Sequence, residues 1–148
     1  MTQLAINQNK TTLMKRKVLL ALIIMIMAAP AISYAQAPVA PVIYKDWESL
    51  EESLTHIDVS YRVIKCASVN QIHLLVFNEN ITDQTAHFEI EITNKSNGLK
   101  FTKEISYAML KATIYKAECD SDSSLDKLKI DLPSSYDPND LTVKITYK

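Results

Sequence analysis

The side chains with which this chain could do chemistry are few: two cysteines, Cys66 and Cys119, and three histidines, His56, His73 and His87, among 148 residues. A redox or metal-binding thiol pair usually shows close Cys-x-x-Cys spacing, and these two cysteines are far apart in sequence. Two histidines with a carboxylate could hold a metal, but no segment has the local spacing of a zinc site. Pairing residues 71–78 with 85–94 in a hairpin also sets His73 and His87 on opposite faces. Ser/His/Asp acyl chemistry needs a glycine-flanked nucleophile turn and a backbone oxyanion nest, and Gly98 is the only glycine. The expectation is a non-enzymatic protein without a cofactor.

Two acidic loops, one with Asp120, Asp122 and Asp126 and one with Asp137, Asn139 and Asp140, offer the oxygen ligands that suit calcium. Neither has the EF-hand glycine, and both are read more simply as turn residues and solvated charge. Tyr44 and Trp47 are a candidate aromatic binding surface of the kind that takes sugars. The competing reading is that Trp47 covers one end of the core.

Compartment follows from the N-terminus. Lys15, Arg16 and Lys17 precede an uncharged apolar run, Val18 to Ala29, and then Pro30 and Ser33-Tyr34-Ala35, the order of a signal peptide cleaved after Ala35. The run is shorter than the ~20 apolar residues that span a bilayer, so no integral membrane segment is expected after cleavage. Residues 1–13 read as an over-extended start. Lys10, Lys15, Arg16 and Lys17 leave with the leader and no acid does, so 12 basic and 17 acidic side chains remain, a net charge of −5. Nucleic acid is thereby disfavoured, because binding its backbone needs a basic surface. Export to the periplasm or medium places both cysteines where disulfides persist, and a Cys66–Cys119 bond is expected.

The elements that must position these groups are strands. The segment Gln71–Asn94 dominates: Ile72, Leu74, Leu75, Val76 and Phe77 form the densest apolar run after the leader, and Phe88, Ile90 and Ile92 alternate with polar neighbours. Read as one hairpin, it sets Phe77 against Ala86 and Leu75 against Phe88. Its first strand is apolar on both faces, which predicts a central, covered strand. Strands are also predicted through Ile57–Cys66, Leu99–Ile105, Ala112–Cys119, Lys127–Leu132 and Leu141–Tyr147. A short helix or turn is predicted over Tyr44–Leu54, connections over Tyr107–Leu110 and Asp120–Asp126, and a positive φ at Gly98. The count of about seven strands without a crossover helix predicts an all-β fold: an antiparallel, immunoglobulin-like β-sandwich, with a partly open barrel as the alternative. The domain limits are a leader at 1–35, a linker at 36–45 and the sandwich at 46–148.

Asp46-Trp47 with Leu50, a strand through Val59, Tyr61 and Cys66, the run Leu74-Leu75-Val76-Phe77-Asn78 and Glu118-Cys119 resemble uncharacterised small secreted β-sandwich proteins of Bacteroidetes-type bacteria. The resemblance implies an exported domain without a known reaction, and it assigns no functional residue. In a bacterial protein, Asn80-Ile81-Thr82 and Asn94-Lys95-Ser96, which have the form of glycosylation acceptors, mean only exposed loops. The function expected is an exported binding or accessory module that contacts a protein or surface glycan through end loops or a sheet edge. The alternative is a structural or adhesin-like subunit of a cell-surface assembly, joined at an edge near Pro38–Tyr44 or Leu141–Tyr147.

Overall fold

A computed structural model describes residues 40–51 and 53–148. The expected leader, the first part of the expected linker and Glu52 lie outside the described residues. Among the described residues, eight strands make two antiparallel sheets: β1 (Val42–Ser49), β2 (Ile57–Cys66), β3 (Val69–Asn78), β4 (Gln84–Asn94), β5 (Lys100–Met109), β6 (Thr113–Lys116), β7 (Lys129–Asp131) and β8 (Leu141–Tyr147). One sheet runs β1-β2-β3, with β6 and β7 both against the far side of β3; the other runs β5-β4-β8. The all-β, two-sheet expectation holds. Among the described residues the only helix is a 3-10 turn, Ser123–Leu128, which takes up the second half of the expected loop and the first two residues of the expected strand Lys127–Leu132, leaving Lys129–Asp131 as strand.

The alternation that predicted each strand also assigns its faces. Ile57, Val59, Tyr61 and Val63 of β2, Ile72, Leu74 and Val76 of β3, and Ala86, Phe88, Ile90 and Ile92 of β4 are buried in one cluster between the sheets. Each such side chain contributes about 1.5–3 kcal/mol when fully removed from water. Among the described residues the buried members of this cluster all lie within residues 57–143, so that segment contains a continuous core. β5 runs on to Met109 where a connection was expected. Tyr107 and Met109 continue its inward alternation, which Ala108 and Leu110, apolar at outward positions, disguise in the sequence.

Two further expectations are corrected. Val42–Ser49 is a strand paired with β2, not a short helix or turn, and it takes up part of the expected linker. The helical spacing of Trp47, Leu50 and Leu54 does not prevail: the segment makes an edge of the first sheet, and Leu54 falls in the turn beyond it. The second concerns Gln71–Asn94. Its two strands form as expected, yet they do not pair: β3 pairs with β2 through the two-residue turn Ala67-Ser68, and β4 pairs with β5. β3 and β4 belong to different sheets, joined by residues 79–83. Five residues reach easily across the ~10 Å between packed sheets, and each apolar face then meets its counterpart across the core. β3 is the covered central strand expected of it, flanked by β2 on one side and by β6 and β7 on the other.

Gly98 has the expected positive φ, +71°, in the turn where its N–H donates to the Asn94 carbonyl at 2.8 Å. With no other glycine available, three further turns set non-glycine residues in the left-handed region: His56 (φ 55°), Ala67 (52°) and Ala112 (48°). Among the described residues no helix is long and apolar enough to cross a membrane.

Candidate functional site

The cysteines do pair. Cys66, at the end of β2, is bonded to Cys119, beyond β6, with Cα atoms 5.5 Å apart, so the bond closes the five-stranded sheet on itself and does not join the two sheets. Beside it, on the face of β3 turned away from the main core, lies His73, fully buried, its Nε2 3.6 Å from the Cys66 sulfur. The His73 ring is neutral: burial, reinforced by the Arg62 guanidinium, lowers its pKa to about 4. A proton on Nε2 satisfies both neighbours, donating to Gln71 Oε1 at 2.9 Å, while Nδ1 faces Arg62 Nη2 at 3.4 Å. Gln71 donates onward to Asp131 at 2.7 Å.

Arg62 is the centre of this face. It is buried, ion-paired with Glu118, and its guanidinium lies 4.8 Å from the centroid of the Trp47 ring. Lys116 meets the same ring at 5.6 Å and pairs with Glu118 at 2.7 Å. Burial pushes the Glu118 carboxyl up, but hydrogen bonds from Lys116 and Arg62 outweigh it and hold it below the usual carboxylate range. One atom of this face is left over: Arg62 Nε is buried without a hydrogen-bond partner among the described residues. Cys66, His73 and Cys119 are the one His/Cys/Asp/Glu group among the described residues close enough to hold a cation, and the sulfurs are bonded to each other. This face therefore buries Arg62 and His73 in a polar layer held together by charge and covalent linkage, while Lys116 and Cys119 at its rim remain exposed.

A second constellation lies at one end of the sandwich. Three loops meet there, residues 50–56, 79–83 and 110–112, and they are bonded to one another through two asparagines. Asn78, fully buried, donates to the carbonyls of Thr82 and Leu110, both at 3.0 Å, and accepts from the Asn80 N–H. Asn80 in turn donates to the Thr55 carbonyl at 2.6 Å, and its own carbonyl accepts from Ala112 N–H at 3.0 Å. Each loop carries an aliphatic side chain pointing into water: Leu54, fully exposed, Ile81, 87 % exposed, and Leu110, 61 % exposed. Two of the left-handed residues, His56 and Ala112, shape this same end. Exposed aliphatics on fixed loops are an interaction surface in form, because apolar area left in water contributes nothing to the fold.

The residues expected to act are distributed differently. Tyr44 packs against the main core, whereas Trp47 faces Arg62 on the opposite side of β1, so the two do not form a joint platform. The pairing irregularities between Ile43 and Lys45 and between Lys45 and Glu48 accompany that switch of face. Asp122 caps the 3-10 turn, accepting from Ser124 N–H at 2.8 Å, and Asp126 pairs with Lys129. Asp137 accepts from Asn139 N–H, and Asp140 lies 3.7 Å from Lys95. Asp120 is exposed. Neither set converges as a calcium site would. Asn94, expected in an exposed loop, is fully buried and donates to the Ser135 carbonyl. Sequence reasoning missed Arg62 and Glu118, whose positions differ from ordinary strand charges only in what packs on them. It also missed Leu54, which reads as part of a helical stripe, Leu110, which reads as one of several apolar residues in a connection, and Ile81, a lone aliphatic in a polar loop. Compared with family models, curated proteins and solved structures, the chain matches none.

Proposed function

We propose that this protein is an exported, non-enzymatic binding or accessory module whose contact surface is the three-loop end. One observation carries the reading: Leu54, Ile81 and Leu110 stand in water on loops that Asn78 and Asn80 hold in place. Preset loops lose little conformational entropy on association, which favours tight contact from a small area. The tip side chains are aliphatic and Tyr44 and Trp47 sit elsewhere, so a protein partner fits this end better than a glycan, which would call for an exposed aromatic. Export rests on the leader-like N-terminus and the disulfide, and it agrees with the resemblance to small secreted proteins of Bacteroidetes-type bacteria. Support for an immunoglobulin-like reading of the fold comes from the strand order: β2-β3-β6/β7 against β5-β4-β8 corresponds to A-B-E against C′-C-F, with β1 added beside β2.

The test is capture from the organism's own envelope fraction on immobilised residues 36–148. Wild type should retain a partner that the combined variant Leu54→Ser/Ile81→Ser/Leu110→Ser does not. Equal retention by both, or no retained partner, overturns the reading.

A further inference from the structure

A sheet edge presents unpaired N–H and C=O groups that will pair with another strand unless something in the edge prevents it. Among the described residues the two sheets have four margins, and three of them carry such a device. β1 is interrupted by two irregularities in its pairing. β6 and β7 are only four and three residues long. β5 is ten residues long and regular, but Lys103 stands opposite Ile90, in the inward register between Phe101 and Ile105. An added strand there would have to enclose a charge.

β8 has none of these. Its register with β4 is unbroken from Leu141 to Tyr147, and its inward positions, Leu141, Val143, Ile145 and Tyr147, are all uncharged. Lys148 N–H donates to the His87 carbonyl and Lys95 N–H to the Asp140 carbonyl, which sets the phase of the ladder. Residues 142, 144 and 146 turn their backbone groups toward β4; Leu141, Val143 and Ile145 turn theirs to the open side, where no strand lies among the described residues. Ile145 is half-buried, so core surface remains for an added strand to cover. On the outward face, Lys144 is exposed and makes no ion pair among the described residues. Its cross-strand neighbour Glu91 is bonded instead to Lys100 at 3.1 Å.

We propose that the β8 edge is a strand acceptor for an extended segment of another protein, one that alternates apolar and polar residues and sets an acidic side chain beside Lys144. Main-chain hydrogen bonds to Leu141, Val143 and Ile145 supply the pairing, and the alternate side chains supply the selectivity. A second copy of this chain fits poorly, because an antiparallel pair of β8 strands in full register sets Lys144 against its own counterpart. The surface is a side of the sandwich that adjoins the three-loop end only at its C-terminal limit, where Leu54 and Thr55 line one cavity with Ile145 and Tyr147; the inference rests on the edge from Leu141 to Ile145 and does not depend on the reading of that end.

The probe is a nine-residue peptide alternating threonine and valine with a central glutamate, added to residues 36–148, with amide exchange read residue by residue. Exchange should slow at Val143 and Ile145, and a central lysine in the peptide should weaken binding at least tenfold. Lys144→Glu, an exposed change that leaves the core intact, should reverse that preference. Ile145→Lys, which copies onto β8 the device of β5, should abolish binding, and Ile81→Ser/Leu110→Ser, at the two loop tips away from Ile145, should bind as wild type does. Unchanged exchange at Val143 and Ile145, or no reversal by Lys144→Glu, overturns the proposal. Protection that appears without peptide as protein concentration rises identifies a second copy as the occupant and overturns the assignment of a foreign strand.

Discussion

The stapled face of the five-stranded sheet and the three-loop end invert the usual distribution of side chains. On the first, Arg62 and His73 are buried and Glu118 is half-buried; at the second, Leu54, Ile81 and Leu110 stand in water. Polar groups are tolerated beneath the disulfide because nearly every one has a partner, and a buried polar group costs free energy chiefly when it is left unsatisfied. Aliphatics are tolerated at the loop tips because an exposed side chain costs the fold nothing relative to the unfolded chain, which exposes it too. The contrast teaches that the first region serves stability and the second is free to serve association.

Four changes would break or sharpen that contrast, from the largest effect to the smallest. Cys66→Ser with Cys119→Ser removes a cross-link spanning 53 residues and should cost about 4 kcal/mol in the chain-entropy view. Urea unfolding measures it, and a loss below 1 kcal/mol would show that the polar layer holds without the bond.

Acid should weaken the same face. His73 titrates near 4 in the folded protein against 6.5 free, so below pH 6.5 the unfolded chain takes up the proton first. Its contribution is complete above pH 6.5 and is lost as pH falls toward 4, at most about 3 kcal/mol from 1.36 kcal/mol per unit. The depressed Glu118 carboxyl has the same sign and acts at the acid end of that range. Stability measured across pH 7 to 4 should fall in wild type and be flatter in His73→Gln; equal slopes would show that His73 is not the group responsible.

Asn78→Ala leaves the Thr82 and Leu110 carbonyls without their shared donor, and it should cost about 2 kcal/mol. Faster amide exchange at Asn80 and Ala112 should accompany the loss, and unchanged exchange there would mean that the loops are not held through Asn78. Each of Leu54→Ser, Ile81→Ser and Leu110→Ser should stay within about 0.5 kcal/mol of wild type, as surface changes do. A drop of 2 kcal/mol at any of the three would reassign that side chain to the core and remove it from the proposed contact surface.

Much of the architecture was legible in the residues. Phe88, Ile90 and Ile92 alternate with Glu89, Glu91 and Thr93, and that alone says which side of β4 faces the core; the same holds for β2 and β8. Tyr107 and Met109 were illegible because Ala108 and Leu110 blur the period, and β1 because Trp47, Leu50 and Leu54 mimic a helical stripe. Of the candidate site, the disulfide could be expected from an exported chain with two cysteines. Nothing local distinguishes Arg62, on the outward face of β2, from a solvated strand arginine, or Ile81 from any other loop residue.

By itself, then, the sequence determined the all-β class, the inward face of most strands, the turn at Gly98 and the pairing of the two cysteines. Only the tertiary structure decided that the two strands of Gln71–Asn94 stack across the core instead of pairing, that Arg62 and His73 are buried beneath Trp47 and the disulfide, and that β8 meets no second strand among the described residues. The reason is that a face follows from the two-residue period of the chain. A neighbour depends on how distant segments cross and on what finally covers each side chain, and that information is spread over contacts no local pattern records.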